Sequence, residues 1–207
     1  MTPLLYTAEL DLEEADVDPF LQWYAFRHAP DVYEVGLLSC TCYRVFGGDM
    51  NLFDLYEVPD WSLFETPRYQ GMRGRDPYMG PLMEKRRNKA HTLYDQRLIT
   101  PPVTALPSLG GDWISVVRFA APADLDSDLM AAMAGVAGPA RIRYATRGKD
   151  HPRNPTFRPR CLLVTEWASQ PDADLAGLVR RVGGAAVSGL DAFTGHRVYP
   201  WPDTPAG

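Results

Sequence analysis

His28 closes a stretch in which Phe20, Trp23, Tyr24 and Arg27 recur at spacings of three and four. Leu21, Tyr24 and His28 fall on one helical stripe by their spacing of seven and four. Such a stripe turns inward, so the sequence predicts an imidazole at the mouth of a half-buried cavity. A neutral imidazole there takes or gives a proton near neutral pH. The plainer alternative is a histidine that merely closes a helix C-terminus against its dipole. Trp23, Tyr24, Tyr43, Tyr56 and Tyr69 form an aromatic and phenolic set in the same half. Phenols hold aromatic ligands by face and edge and donate hydrogen bonds to a developing oxyanion. Ordinary core packing also accounts for any one of them. Tyr43 alternates with Ser39 and Thr41, opposite Cys40, Cys42 and Arg44. A polar face on a strand covered on both sides predicts a lined cavity. His28, Tyr43 and Tyr69 are therefore the catalytic candidates.

The segment Arg68 to Tyr78 mixes arginine, aromatic residues and glycine. Read as irregular chain, it predicts a lid whose arginines grip a carboxylate or phenolate, or else a solvated loop with surface ion pairs. Arg68, Arg73 and Tyr78 thus join Trp23, Tyr24 and Tyr56 as substrate-binding candidates. His91 and Asp95 share a strand face and are read as a surface pair before an acid–base pair. Asp150-His151-Pro152-Arg153-Asn154 lies in a long loop able to reach over one end of the molecule, and His196-Arg197 lies on the last strand. Both rank below His28.

Several chemistries lack their residues. There is no CxxC, HExxH or EF-hand pattern, and Cys40 and Cys42 have no nearby partner to complete a tetrahedral zinc set. Gly47-Gly48 and Gly183-Gly184 match neither a P-loop nor a dinucleotide fingerprint. No GxSxG elbow is present, which argues against a serine hydrolase. The reading therefore assigns no cofactor and no metal, with haem held by a single histidine as the one option that leaves little trace. A net charge of −5 argues against nucleic acid as the partner. Lys85-Arg86-Arg87-Asn88-Lys89 is read as a helix-end cluster that complements the dipole. The start of the chain lacks the basic and apolar regions of a signal peptide, and no apolar run reaches membrane-spanning length. Three oddly spaced cysteines suit a reducing, cytoplasmic compartment rather than a disulfide framework.

The elements that must position these residues follow a repeated grammar. In the first half, strands are predicted at Leu4–Leu10, Leu37–Phe46, Asn51–Val58 and His91–Ile99. A helix is predicted to start at Asp18-Pro19 and stop before Pro30. A second begins at Pro59-Asp60, and a basic helical piece runs to Lys89. Gly47-Gly48-Asp49 marks a hairpin turn. The second half has strands at Trp113–Ala120, Ala140–Thr146, Arg160–Ala168 and Phe193–Tyr199, with helices at Asp124–Val136 and Asp172–Val187. Residues 100–111, with three prolines and two glycines, read as a linker. Each half reads βαββαβ, the ferredoxin-like pattern. This predicts an α+β chain with units at 1–99 and 112–207, their bare sheet faces covering one another.

On that element order the chain resembles the dimeric α/β-barrel superfamily. Trp23-Tyr24-Ala25-Phe26-Arg27-His28-Ala29-Pro30-Asp31 is similar to the EthD-like pattern of a first helix ending in His and then Pro, before a Gly and the second strand. The resemblance implies two ferredoxin-like units closing a barrel within one chain, with one site in the first half. The aromatic-rich first half points to a small aromatic substrate, and exposed edge strands or the outer aromatic surface would allow a homodimer. The sequence reading is a cofactor-independent lyase, dehydratase, cyclase or isomerase acting on an aromatic or polycyclic molecule. Its rivals are an oxygen-using enzyme of the same architecture, cofactor-free or haem-dependent, and a protein that binds an aromatic ligand without converting it.

Overall fold

The computed structural model describes residues 2–72, 76–87, 89–152 and 158–200. Among them eight strands form: β1 Leu4–Leu10, β2 Ser39–Phe46, β3 Leu52–Val58, β4 Lys89–Thr100, β5 Trp113–Ala120, β6 Arg141–Arg147, β7 Cys161–Trp167 and β8 Ser188–Tyr199. All pair antiparallel into one closed barrel, in the order β1-β3-β2-β8-β5-β7-β6-β4. Each half contributes four strands in the same spatial order, its fourth beside its first, then its third, then its second. The α+β barrel architecture read from the sequence is the one observed. Closure through β2–β8 and β4–β6 leaves no open edge in the ladder. The strand edges expected to drive pairing of two chains are therefore not available.

Alternation along each strand sorts side chains into three layers. Leu5, Tyr43, Phe53, Leu55, Val116 and Phe193 point into the barrel and fill it. An eight-strand barrel is just wide enough for side chains to do so. Tyr6, Ala8, Cys40, Cys42, Tyr56 and Leu93 point outward beneath the N-terminal helices. Val117, Phe119, Tyr144 and Leu163 do the same beneath the C-terminal helices. The cavity expected between the two sheets is thus a packed core. One end of that core is polar: Arg143, fully buried, donates to Glu166 at 2.8 Å and pairs with Glu57 at 3.3 Å. The connection between β4 and β5 packs there, with Ser108 donating its backbone N–H to Glu57 at 3.0 Å and Leu109 joining the core.

The helices depart from expectation in informative ways. Helix α1, Glu14–Trp23, starts four residues before the predicted Asp18 and carries Pro19 inside it. Glu14 and Asp16 sit in its first turn, where negative charge is favoured. The helix also does not stop before Pro30. A π turn, Tyr24–His28, leads directly into α2, Ala29–Val35. There the Ala29 N–H reaches back to the Tyr24 carbonyl, five residues away. The wider register absorbs a proline that cannot donate in the α-helical pattern. Gly36, at φ 108°, ends α2 in the left-handed conformation, with backbone bonds back to Tyr33 and Val32.

The segment after β3 is more regular than predicted. A 3₁₀ turn, Trp61–Glu65, is capped by Asp60, and α3, Pro67–Gly71, is capped by Thr66. Helix α4, Met79–Glu84, follows. The C-terminal half carries α5, Asp126–Ala134, and α6, Leu175–Gly183. Among the described residues no helix is long and apolar enough to cross a membrane.

Candidate active site

A cavity opens between the outer face of the N-terminal strands and the α1–π–α2 helical unit, outside the barrel. Strand register builds its floor. Tyr6 lies opposite Tyr56, while Ala8 lies between Asp54 on β3 and His91 on β4. A methyl group at position 8 leaves open the space that a larger side chain would fill. Phe20, Trp23, Tyr24 and His28 form the roof, Tyr69 and Met72 close one side, and Arg86 and His151 complete the wall. The cavity volume is about 80 Å³. That is room for several waters or a small planar molecule.

The π turn determines how His28 is held. Its imidazole stacks on Trp23, five residues earlier, with centroids 4.9 Å apart, and packs against Tyr24, four residues earlier, at 5.1 Å. A regular α-helix would not bring both neighbours to one ring. His28 Nε2 lies 3.2 Å from the Tyr56 hydroxyl, while Nδ1 is shielded from solvent and has no hydrogen-bond partner. Burial lowers the His28 pKa to about 4, with the Asp76 charge opposing and the Arg86 charge adding to the effect. The ring is therefore neutral at pH 7.

Tyr56 is a hub. Its hydroxyl donates to Asp54 Oδ2 at 3.2 Å and accepts from Tyr24 at 3.1 Å, whose oxygen in turn lies 3.2 Å from the Cys40 thiol. Asp54 is 2% exposed, and burial pushes its pKa up to about 7 despite bonds from Cys42, Tyr56 and Tyr24 and the nearby charge of Arg86. Burial likewise pushes the Tyr24 and Tyr56 hydroxyls and the Cys40 and Cys42 thiols well up, so all four are protonated.

Two further histidine–tyrosine pairs face the same space. Tyr6 Oη lies 2.6 Å from His91 Nδ1, and Tyr69 Oη lies 3.0 Å from His151 Nε2. The Tyr6 ring stacks on His151 at 5.3 Å and on Tyr56 at 5.2 Å. The three pairs thus form one continuous wall of planar groups. Such a wall offers flat faces for an aromatic ring and several positions at which a proton can be exchanged.

The structure brings together His28, Tyr69, Trp23, Tyr24 and Tyr56 from the sequence-derived candidates. It does not bring Tyr43, Arg68 or Tyr78. The Tyr43 side chain follows the predicted alternation, but its face is the barrel interior, where its hydroxyl donates to the Gly111 carbonyl at 3.3 Å. Arg68 is exposed and pairs with Glu34 at 3.2 Å on the surface. Tyr78 is 62% exposed. Arg73 lies outside the described residues, as does the Arg153-Asn154 end of the second-half loop. His91 and Asp95 do not pair, because Asp95 is half-exposed and faces Arg97 at 3.7 Å. His196 packs on Trp113, away from the cavity.

Sequence reasoning missed Tyr6, Asp54 and Arg86, and it ranked His91 and His151 too low. For Asp54 a signal was present: an acidic residue in a strand that must be covered on both faces. For His151 the signal was only a loop long enough to reach over one end of the molecule, and the closed barrel is what sets its imidazole against Tyr69 of the N-terminal half.

A haem does not fit these surroundings. The cavity has room for one small planar molecule and not for a tetrapyrrole macrocycle. The matching face of the C-terminal half is filled by Leu129, Met133 and Val179.

No protein-family model matches this chain, and no curated protein matches it in sequence. Among solved structures it is similar to an anthrone oxidase-like protein, with a TM-score of 0.63 at 10% identity over 96% of this chain and 92% of that one. It is similar to a protein named as a monooxygenase from Lactobacillus acidophilus NCFM, with a TM-score of 0.62 at 13% identity over 95% and 94% of the two chains. A haem-binding protein from Thermus thermophilus matches with a TM-score of 0.54 at 11% identity over 95% and 92%. These likenesses are to proteins of the same α+β barrel fold. At such identities they carry the fold alone.

Proposed function

We propose that this chain is a cofactor-independent enzyme that moves protons on a planar, hydroxylated aromatic small molecule, in the lyase, dehydratase, cyclase or isomerase class. One observation carries the reading: three histidine–tyrosine pairs from separate elements converge on a single aromatic-walled cavity. Acid–base groups at separate points allow a proton to be removed at one position and returned at another, which eliminations, aldol-type cyclisations and isomerisations all require. Tyr6, Tyr24, Tyr56 and Trp23 supply faces and edges for a flat ring. Arg86 is the permanent cation among the described lining residues and favours a substrate that develops phenolate or enolate charge.

A second reading has a specific support, the likeness to structures named as an anthrone oxidase-like protein and a monooxygenase. In it the same proton removal produces an electron-rich aromatic anion that reacts with molecular oxygen. Membership of the EthD-like branch, descent of the two halves from one duplicated unit with boundaries at 1–99 and 112–207, a cytoplasmic location and pairing into a homodimer through the outer aromatic surface belong to the same proposal. The common strand order of the halves supports the duplication.

The test is incubation of the purified protein with a panel of small planar phenols, followed by absorbance and an oxygen electrode. Turnover without oxygen uptake supports the first reading, and stoichiometric oxygen uptake supports the second. Tight binding without conversion of any member overturns both in favour of a ligand-binding protein.

A further inference from the structure

Ala8 stands at the centre of the cavity floor. Its neighbours along β1, Tyr6 and Leu10, and its neighbours across the sheet, Asp54 on β3 and His91 on β4, all line the cavity. Among the described residues no other floor position is surrounded in this way. Ala8 also carries the smallest side chain of the floor, and it points outward beneath the helical roof. Side chains on a strand stand roughly perpendicular to the sheet. Atoms added at position 8 therefore enter the cavity.

The second half shows what a larger residue does at this position. Leu5 lies opposite Glu57 and Ile114 opposite Glu166, and from there the two registers run in step. Ala8 thus corresponds to Val117, Asp54 to Leu163 and His91 to Ala192. Val117 is 1% exposed and packs in an apolar cluster with Leu129, Leu163 and Val179. The same place in the fold holds valine where the face is filled and alanine where it is hollow.

We propose that Ala8 is the specificity-determining residue of the cavity and sets it for a single six-membered ring, a monocyclic phenol rather than a fused polycycle. This rests on the function proposed above and narrows its substrate. An apolar cavity of roughly 150 Å³ in another protein holds one benzene ring. A cavity of about 80 Å³ takes one ring at most, and a fused second ring needs space that only the floor can yield. The roof and wall hold one another in place: Phe20 packs on Trp23 and Tyr24, and Tyr24 is bonded to Tyr56 at 3.1 Å. At position 8 a single side chain sets the depth.

The experiment is an NMR titration of the intact chain, with ring-labelled histidines, against phenol and then against naphthol. The chain has four histidines. His28, His91 and His151 border the cavity, while His196 packs on Trp113 away from it and is assigned by its loss in His196→Gln. Phenol should move the three cavity signals and leave His196 in place, and naphthol should move none. Ala8→Val should weaken phenol binding about ten-fold or more, as a methylene-sized misfit does, with the melting temperature retained. Ala8→Gly should shift the preference toward naphthol. Val117→Ala, the matched change on the second face, should leave phenol binding unchanged. Naphthol bound as tightly as phenol by the wild type, no phenol shift at the cavity histidines, phenol binding unchanged in Ala8→Val, or a preference unchanged in Ala8→Gly would each overturn the size limit. The wild-type comparison and Ala8→Gly decide the matter even if Ala8→Val does not fold. Phenol bound in the cavity but never converted overturns the function and leaves the limit; phenol turnover unaffected by Ala8→Val does the reverse.

Discussion

The two helix-covered faces of the barrel have the same strand order and opposite contents. Beneath α5 and α6, Leu129, Met133, Phe119, Leu163 and Val179 pack without polar groups among them. The one phenol there, Tyr144, reaches the rim and donates to Asp126 at 2.7 Å, and Arg160 neutralises that carboxylate at 2.5 Å. Beneath the N-terminal helices, Asp54 and His28 are held at protonation equilibria far from their ordinary values and border a void. Burying polar groups beside a hole costs stability unless they are fully paired. On the matching face the buried polar groups are paired and border no such void, and this contrast supports the proposal that the first is the working surface.

The largest effect that would test this contrast is on activity. Removing the imidazole in His28→Ala should lower kcat for the accepted phenol about 10²- to 10⁴-fold, with the melting temperature nearly unchanged. Unchanged turnover would break the contrast. On the opposite face, Leu129→Ala should cost about 2–5 kcal/mol in denaturant unfolding, while the activity per folded molecule stays at the wild-type level.

The pH dependence of stability separates the faces next. The folded-state pKa of Asp54 is raised from 3.8 to about 7. Between those values the folded protein keeps a proton that the unfolded chain has released, so wild-type stability from this group falls as pH rises through that window. Asp54→Asn cannot ionise, and it should gain on wild type by up to about 4 kcal/mol between pH 4 and 8. A difference independent of pH would show that Asp54 is not buried as described. A matched pair of hydroxyl deletions is finer. Tyr144→Phe should cost about 1 kcal/mol of stability and no activity. Tyr69→Phe, which removes the Tyr69 bond to His151, should cost similar stability and also reduce turnover. The smallest effects belong to the exposed candidates: Arg68→Ala and Tyr78→Ala should stay within about 0.5 kcal/mol of wild type, with unchanged activity.

Much of the fold was legible in the sequence because period-two alternation and turn residues leave local marks. The Gly47-Gly48 turn, the αβ order of both halves and the face-switching of Ser39 to Arg44 were all local facts. Proline was the misleading signal. Pro19 and Pro30 were read as boundaries, yet acidic residues started α1 earlier and a π turn carried the helix past Pro30. Only that turn puts Trp23 and Tyr24 on the same imidazole.

Residue type and spacing by themselves placed a candidate histidine and a set of phenols in the first half, because those facts belong to composition and to neighbours a few residues apart. They could not say which phenol belongs to which histidine. Tyr43 and Tyr56 look alike on adjacent strands, and only barrel closure decides that one faces a packed core and the other a cavity. Tyr69 and His151 are 82 residues apart and meet at 3.0 Å. Such a contact depends on strand register and on how the two halves join, and no local property of the chain encodes either.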